Sequence, residues 1–438
     1  MSDKIVYIVH CVDTEGPLFE SLGATFERLK KTFGIDLVPS LMNLEMLRRG
    51  EGVDSQIRDL VMGFVSDTRL SYKSDWNEID EMLNEILSKE WRNKFLDDFG
   101  NGYIFNWFIV DHVGYVSNPR RRALGYHTVF EHYQRKIKEF DSVDDEIHWH
   151  FHPVSFFREA HKTSNNFSFT NEHIEILCRR VIDHQWFPAA FRPGSHCERP
   201  DINLFLEQWI PFDYGNQGVE EKKNDISDLQ KDVAAGRYGD WRRATTEWEV
   251  YHPDFYDYQI EGKMKRYIAR CLNLNSRIRF IDEYDINKAF QRANEGKRTI
   301  VAITNHDERE MRSDIDGFYS MLKSVQREYP NVKIKNAGAV QAMREVLQLR
   351  HEKPLVFDVT FDGGLLSIKT DKPCWGCQPF FCFKTKGQQY IHENLDYHGG
   401  NCWSYTFDED TVLVDQLEAV GLAANDSYGN VTVWKKIF

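Results

Sequence analysis

The 438-residue chain sets 55 Lys+Arg against 68 Asp+Glu, a formal net charge of −13, with 41% hydrophobic and 28% charged residues. That length exceeds one compact core, so two or three units, or one large α/β barrel with an appendage, are expected. The acidic balance argues against a general nucleic-acid binder, which needs a basic face, and no apolar run approaches the length of a transmembrane segment.

Lys4 to Val12 reads as a buried strand ending in Asp13-Thr14-Glu15-Gly16-Pro17. With period two, Asp13 and Glu15 point the same way, and two carboxylates on one side of a strand end repel unless a cation or a proton sits between them. The early charges do not fit a secretory leader, so a cytoplasmic location is expected. The eight cysteines are then read as free thiols by default. Residues 38–100 carry apolar spacings of three and four, at 43–49 and 76–99, and read as a helical insertion at a substrate rim or a subunit contact. Tyr103 to Val110 reads as a second strand ending in Asp111-His112, and 126–140 as a helix.

The next stretch, Asp145-Glu-Ile-His-Trp-His-Phe-His-Pro153, places His148, His150 and His152 on one face of a strand and Trp149 and Phe151 on the other. Pro153 marks the strand end. A row of imidazoles at the mouth of a strand points to a metal site, and a carboxylate is needed to complete the ligand set. A helix is expected over 171–185, a strand over 186–191 ending in Arg192-Pro193-Gly194, a helix over 200–207, and a strand over 209–212 ending in Asp213. Residues 216–262 have no clear period and read as a long excursion over the top of the fold. The pattern then predicts a helix over 263–270, a short strand over 278–281, a helix over 284–294 and a strand over 299–304 ending in Asn305-His306-Asp307. A helix over 315–328, a strand over 332–335 and a helix over 337–349 follow.

This alternation predicts a parallel (β/α) barrel over 1–350, since polar residues at strand ends collect at one mouth. From 355 to 438 the runs are short and alternating, with a hairpin turn at Phe361-Asp-Gly-Gly364, and predict an antiparallel β-sandwich. Cys374, Cys377, Cys382 and Cys402 admit a structural zinc knot, though buried thiols are favoured.

The strand ends carry, in order, Asp-Thr-Glu-Gly-Pro, His-x-x-x-His-Pro, Arg-Pro-Gly, Asp and Asn-His-Asp. The series resembles the polysaccharide deacetylase superfamily, the NodB-type carbohydrate esterases, over roughly residues 4–350. Their motifs are Thr-Phe-Asp-Asp-Gly-Pro, His-Ser/Thr-x-x-His-Pro and Arg-x-Pro-x-Gly, and a late strand carries a histidine. The resemblance implies a distorted barrel and a divalent metal, with zinc expected, held by His148, His152 and Glu15. It implies Asp13 as base, Arg192 as the group that orients it, Asp213 as the acid of the fourth motif and His306 as donor to the leaving group. Asp13 and Glu15 are separated here where the family has adjacent acids, so which of them binds metal stays open. The third motif is shorter. His150 and His196 are additional, each either a metal ligand or a substrate contact, and Asp111 and His112 are candidates for substrate contact.

The activity implied is hydrolysis of an N-acylated amino sugar or sugar-linked intermediate of surface polysaccharide or O-antigen synthesis, by deacetylation or deformylation. A small non-sugar amide as substrate, and a non-catalytic glycan-binding protein, are the competing readings. The expected partner is a carbohydrate or amide small molecule, and a homo-oligomer is left open. Arg242, Arg243 and Arg309 are candidates for holding a phosphate.

Overall fold

A computed structural model describes residues 4–160, 162–164, 166–220, 239–275 and 279–438. Eight strands alternate with helices: β1 (Ile5–Thr14), β2 (Phe105–Ile109), β3 (Glu146–Phe151), β4 (Ala190–Pro193), β5 (Phe212–Asn216), β6 (Tyr267–Asn273), β7 (Thr299–His306) and β8 (Lys333–Asn336). They run in the order β2-β3-β4-β5-β6-β7-β1-β8, and β1 also pairs with β2, closing a seven-stranded barrel. Every pairing is parallel. The closure is split. Ile5–Ile8 of β1 pair with β8, whereas His10–Thr14 pair with β2. The distorted parallel (β/α) barrel expected from the alternation is the fold observed.

Strand β1 is buried at every position, as a central parallel strand must be. Val6, Ile8 and Val12 join a core that includes Ile286, Phe290 and Phe318 of the surrounding helices. The alternate positions Tyr7, Val9 and Cys11 pack with Phe108, Tyr214, Cys271 and Ala302 inside the barrel. Asp13 follows in that inner row, so the strand's own period delivers a carboxylate to the mouth.

One element is corrected. The stretch 263–270, read as helical, contains the start of β6, without which the barrel could not close. The misleading feature is its charge. Arg266 and Arg270 are fully buried and ion-paired to Glu198, Asp213 and Asp285 rather than displayed to solvent. Strands β4 and β5 begin a few residues later than expected, β5 because Trp209 still belongs to the helix Pro200–Trp209. Of the excursion over 216–262, residues 221–238 lie outside the described residues, as does 278, the first position of the short strand expected over 278–281. Phe280 makes an isolated bridge to Asn273.

The β1–β2 connection is helical, as expected, but it begins earlier, with Leu22–Phe33. Ser21 caps that helix and Gly34 ends it in a left-handed conformation. This helix packs with Leu41–Arg48 and Arg58–Phe64 through Phe26, Leu29, Leu44, Leu47, Val61 and Phe64, a small core of its own. The later helix Trp76–Ile86 lays Ile79, Met82, Leu83 and Ile86 against the barrel.

The C-terminal part forms two antiparallel four-stranded sheets. One has the order β13 (Asp396–Gly399), β14 (Cys402–Thr406), β10 (Leu365–Thr370) and β9 (Phe357–Asp362). The other has β12 (Tyr390–Glu393), β11 (Phe380–Thr385), β15 (Leu417–Asn425) and β16 (Val431–Ile437). Leu366, Ile368, Phe381, Phe383, Trp403, Val420 and Leu422 form the core between them. Gly363 and Gly364 have φ of 55° and 92° in the two-residue turn joining β9 to β10, the conformation that a tight hairpin requires. The opposite face of β11 and β15, with Phe380, Cys382, Ala419 and Ala423, packs on Ile176, Leu177, Val181 and Ile182 of the helix Glu172–His184. No helix among the described residues is long and apolar enough to cross a membrane.

Candidate metal centre

At the C-terminal mouth of the barrel Glu15, His150 and His152 converge. Their ligand atoms all lie within 4.8 Å of one another, and no other group of three or more His, Cys, Asp or Glu among the described residues does this. His150 Nε2 is 3.0 Å from His152 Nε2, which is 2.9 Å from Glu15 Oε1, and the third side of the triangle is 3.8 Å. Four-coordinate zinc with arms of about 2.0–2.1 Å would set its ligand atoms about 3.4 Å apart. The donor set therefore fits a divalent ion: two imidazoles and one carboxylate, leaving further coordination positions open.

Each donor is oriented by its neighbours. His150 Nδ1 donates to the Arg192 carbonyl at 2.9 Å, which leaves Nε2 unprotonated and aimed at the centre. His152 lies one residue past β3, against the Pro193-Gly194 turn. A Cβ on Gly194 would sit 2.6 Å from the His152 ring, so the glycine of Arg-Pro-Gly makes room for the imidazole. Glu15 gives its second oxygen to Arg122, and its backbone N–H donates to Asp307 at 2.8 Å. Gly16 donates to the same carboxylate at 2.9 Å, at a left-handed φ of 71°. Burial pushes the Glu15 carboxyl up, but Arg122 and the two histidines pull it well below the usual range.

Beside this group, Asp13 Oδ1 accepts from Arg192 Nε at 2.6 Å. Burial opposes ionisation of Asp13, yet Arg192, His150 and His306 hold its pKa below the ordinary value. His306 Nε2 is 3.9 Å from Asp13 Oδ2 and 3.8 Å from Glu15 Oε1. Desolvation lowers the His306 pKa, against the pull of Glu15 and Asp13. Asp13, Glu15, His150, His152, His196 and His306 line one cavity of about 610 Å³, whose far wall is the helical segment between β1 and β2.

The expected metal pair of His148 and His152 is not what the fold brings together. Four residues of extended chain separate two side chains by about 13 Å, and β3 is extended through Phe151. His148 instead bonds Glu146 at 2.8 Å, lower in the barrel, while Glu146 also accepts from Val340 N at 2.9 Å. Of the two alternatives open for His150, the structure favours the ligand position, beside His152. The Asp13–Glu15 alternatives separate as well: Glu15 faces the imidazoles and Asp13 faces Arg192.

Other expected site residues lie elsewhere. Asp213 is buried with Arg266, and Asp111 with Arg180; neither lines the cavity. Burial raises the Asp111 pKa to about 6 against the pull of Arg180. His112 Nε2 donates to the Glu15 carbonyl at 3.2 Å and so buttresses the strand end from behind. His196 does reach the cavity, after Ser195, and both have left-handed φ near 50°. Trp241, Trp248, Tyr251 and Tyr258 are core residues off the cavity and offer no flat face to a ligand there. The four C-terminal cysteines do not converge; Cys382 faces the helix Glu172–His184, and Cys402 is in the other sheet. All eight cysteines are free thiols, but only some are buried, and Cys377 is exposed.

Arg122 and Glu308 were not anticipated. Arg122 was legible only as the end of an Arg-Arg-Arg run after Asn118-Pro119. Glu308 borders the cavity with its pKa raised to about 7, through burial and then the charge of Glu15.

A parallel β/α barrel carrying a buried two-histidine, one-carboxylate group at its C-terminal mouth is the architecture of a metal-dependent enzyme. Comparison with protein-family models, with curated proteins and with solved structures finds no match for this chain.

Proposed function

We propose that the chain is a metal-dependent amide hydrolase that removes the acyl group, acetyl or formyl, from an N-acylated amino sugar or a sugar-linked intermediate of surface polysaccharide synthesis. The observation that carries this reading is the grouping of Glu15, His150 and His152 beside the Asp13–Arg192 pair, with His306 facing both carboxylates. The order of strand-end motifs, which resembles the polysaccharide deacetylases, supports the sugar amide over other substrates.

In this reading Glu15, His150 and His152 hold the ion. A divalent ion bound there supplies polarisation of the acyl carbonyl and a water whose pKa falls from about 16 toward about 7. Asp13 accepts the proton of the attacking water, and Arg192 keeps Asp13 ionised and aimed. His306 delivers a proton to the amine nitrogen as the C–N bond breaks, so the products are a free amine and a carboxylate.

The test is release of acetate or formate from a panel of N-acylated amino sugars by the zinc-loaded chain, with linear and cyclic amides alongside. Release from a sugar, lost in Asp13→Asn, is the expected result. Turnover of the simple amides alone would replace the substrate class. No turnover of any amide by protein that retains metal would overturn the reading.

A further inference from the structure

The cavity wall opposite the metal group is cationic. Arg309 Nη1 donates to the Arg69 carbonyl at 3.1 Å and its Nη2 to Tyr72 Oη at 3.2 Å. Arg69 Nη1 donates to the Asn275 carbonyl. Both guanidinium groups are thus oriented by neutral oxygens, and among the described residues neither has a carboxylate at salt-bridge distance. Arg309 lies over the Tyr72 ring at 4.6 Å and Arg120 over the same ring at 5.4 Å. Arg120 is buried; it shares Glu20 with Arg28, and its Nε has no hydrogen-bond partner.

The neighbouring acids make their direct contacts elsewhere. Glu310 is held by Arg312 and Lys73. Asp314 accepts from Asn275 and Asn305 at 3.1 and 3.3 Å, and burial raises its pKa against the pull of those bonds and of the Arg309 and Arg69 charges, which it faces without touching. The imbalance has electrostatic consequences. Arg69 is pushed down by burial and then by the charge of Arg309. Tyr72 is half-buried, and desolvation alone would raise it, yet Arg309, Arg28 and Arg120 bring its pKa below the ordinary value. Half-buried guanidinium groups with no carboxylate in direct contact keep donors to spare, and a carboxylate or phosphate matches their planar donor array.

We propose that the substrate enters this cavity by an anionic group, a carboxylate or a phosphate, bound by Arg309 and Arg69 beside Tyr72 and Arg120. The inference rests on the hydrolase reading only for the position of the reacting bond. Arg309 N donates to the His306 carbonyl at 3.2 Å, so the arginine and the imidazole arise from one turn after β7. One small substrate spans both, and a cavity of about 610 Å³ suits such a ligand. The substrate class is a charged acylamino sugar: a sugar 1-phosphate, a nucleotide-linked sugar or an N-acyl uronic acid. The other arginines considered from the sequence are excluded by placement. Arg242 and Arg243 are committed to Asp240 and Asp257 and lie off the cavity.

The experiment is calorimetric titration of the zinc-loaded full chain with three probes: N-acetylglucosamine, its 1-phosphate and the corresponding uronic acid. At least tenfold tighter binding of one charged probe than of the neutral sugar is expected, and the winning probe tells phosphate from carboxylate. Arg309→Gln with Arg69→Gln should abolish that preference at unchanged zinc content. Equal affinity for neutral and charged probes, binding of none of the three, or a preference that survives the double substitution would overturn the proposal. The wild-type comparison decides even where the double variant does not fold. Zinc missing from the wild type, with the anion preference intact, would sink the hydrolase reading and leave the anion site standing.

Discussion

His150 Nε2 and His152 Nε2 face each other at 3.0 Å, two residues apart on one side of the chain. This His-x-His spacing, rather than the His-x-x-x-His spacing that starts at His148, is what an extended strand can turn toward one ion. His150→Ala and His152→Ala should each cut retained divalent metal at least tenfold, whereas His148→Ala should keep it. Elemental analysis of the three purified variants beside wild type checks this. Loss of metal in His148→Ala alone would reverse the assignment.

Removing Arg192 strands Asp13 in the barrel without its counter-charge. The pair is fully buried and bonded at 2.6 Å, and breaking such a pair costs about 3–5 kcal/mol. Arg192→Ala should therefore unfold at markedly lower urea than wild type. Asp13→Asn keeps the shape and a hydrogen bond, so it should retain metal while amide hydrolysis falls by about 10²–10⁴, the range for a lost general base. Equal activity of Asp13→Asn and wild type would remove Asp13 from the reaction.

Gly194 tests the packing beneath the metal group. A methyl there meets both the His152 ring and the Phe151 carbonyl at 2.6 Å. Gly194→Ala should displace His152 and weaken metal binding while far-ultraviolet circular dichroism stays native. Metal affinity equal to wild type would show that the turn has room to spare.

Arg122→Ala tests the other side of the same centre. Glu15 would lose the guanidinium that takes its second oxygen and draws its pKa down. Outer partners of this kind are worth about 10–100-fold in metal affinity. A fall of that size, at an unchanged fold, is expected from competition with a chelator.

Stability should decline on mild acidification through histidines away from the site. Burial lowers the pKa of His10, set between Tyr103 and Asn305, and of His173, packed among Phe151, Phe167 and Phe205, from 6.5 to about 4. The unfolded chain takes up these protons as pH falls through 6.5, and the folded chain only near pH 4. Their contribution is thus complete above pH 6.5 and is lost between 6.5 and about 4, on the order of 3 kcal/mol for each. Urea midpoints across that window check this, and His173→Leu should flatten part of the slope.

The barrel was legible because buried parallel strands are uninterrupted apolar runs and their ends are polar. The runs at 4–12 and 299–304, and the acids and histidines that follow them, declare both the sheet and its working end. The period of two also determined that Asp13 and Glu15 share a side, and that His148, His150 and His152 oppose Trp149 and Phe151. The run at 263–270 hid its strand because arginine reads as surface, and only partners brought from Glu198, Asp213 and Asp285 make its burial tolerable. The choice among the histidines likewise needed the third dimension. Sequence placed them on one face, but the length of an extended chain, the position of Glu15 on β1 and the Arg192 carbonyl on β4 decided which two meet the carboxylate. Arg309 and Arg69 come together with Tyr72 over the same cavity by an equally long route through the fold. Local period determines which way a side chain points; only chain closure determines what it meets.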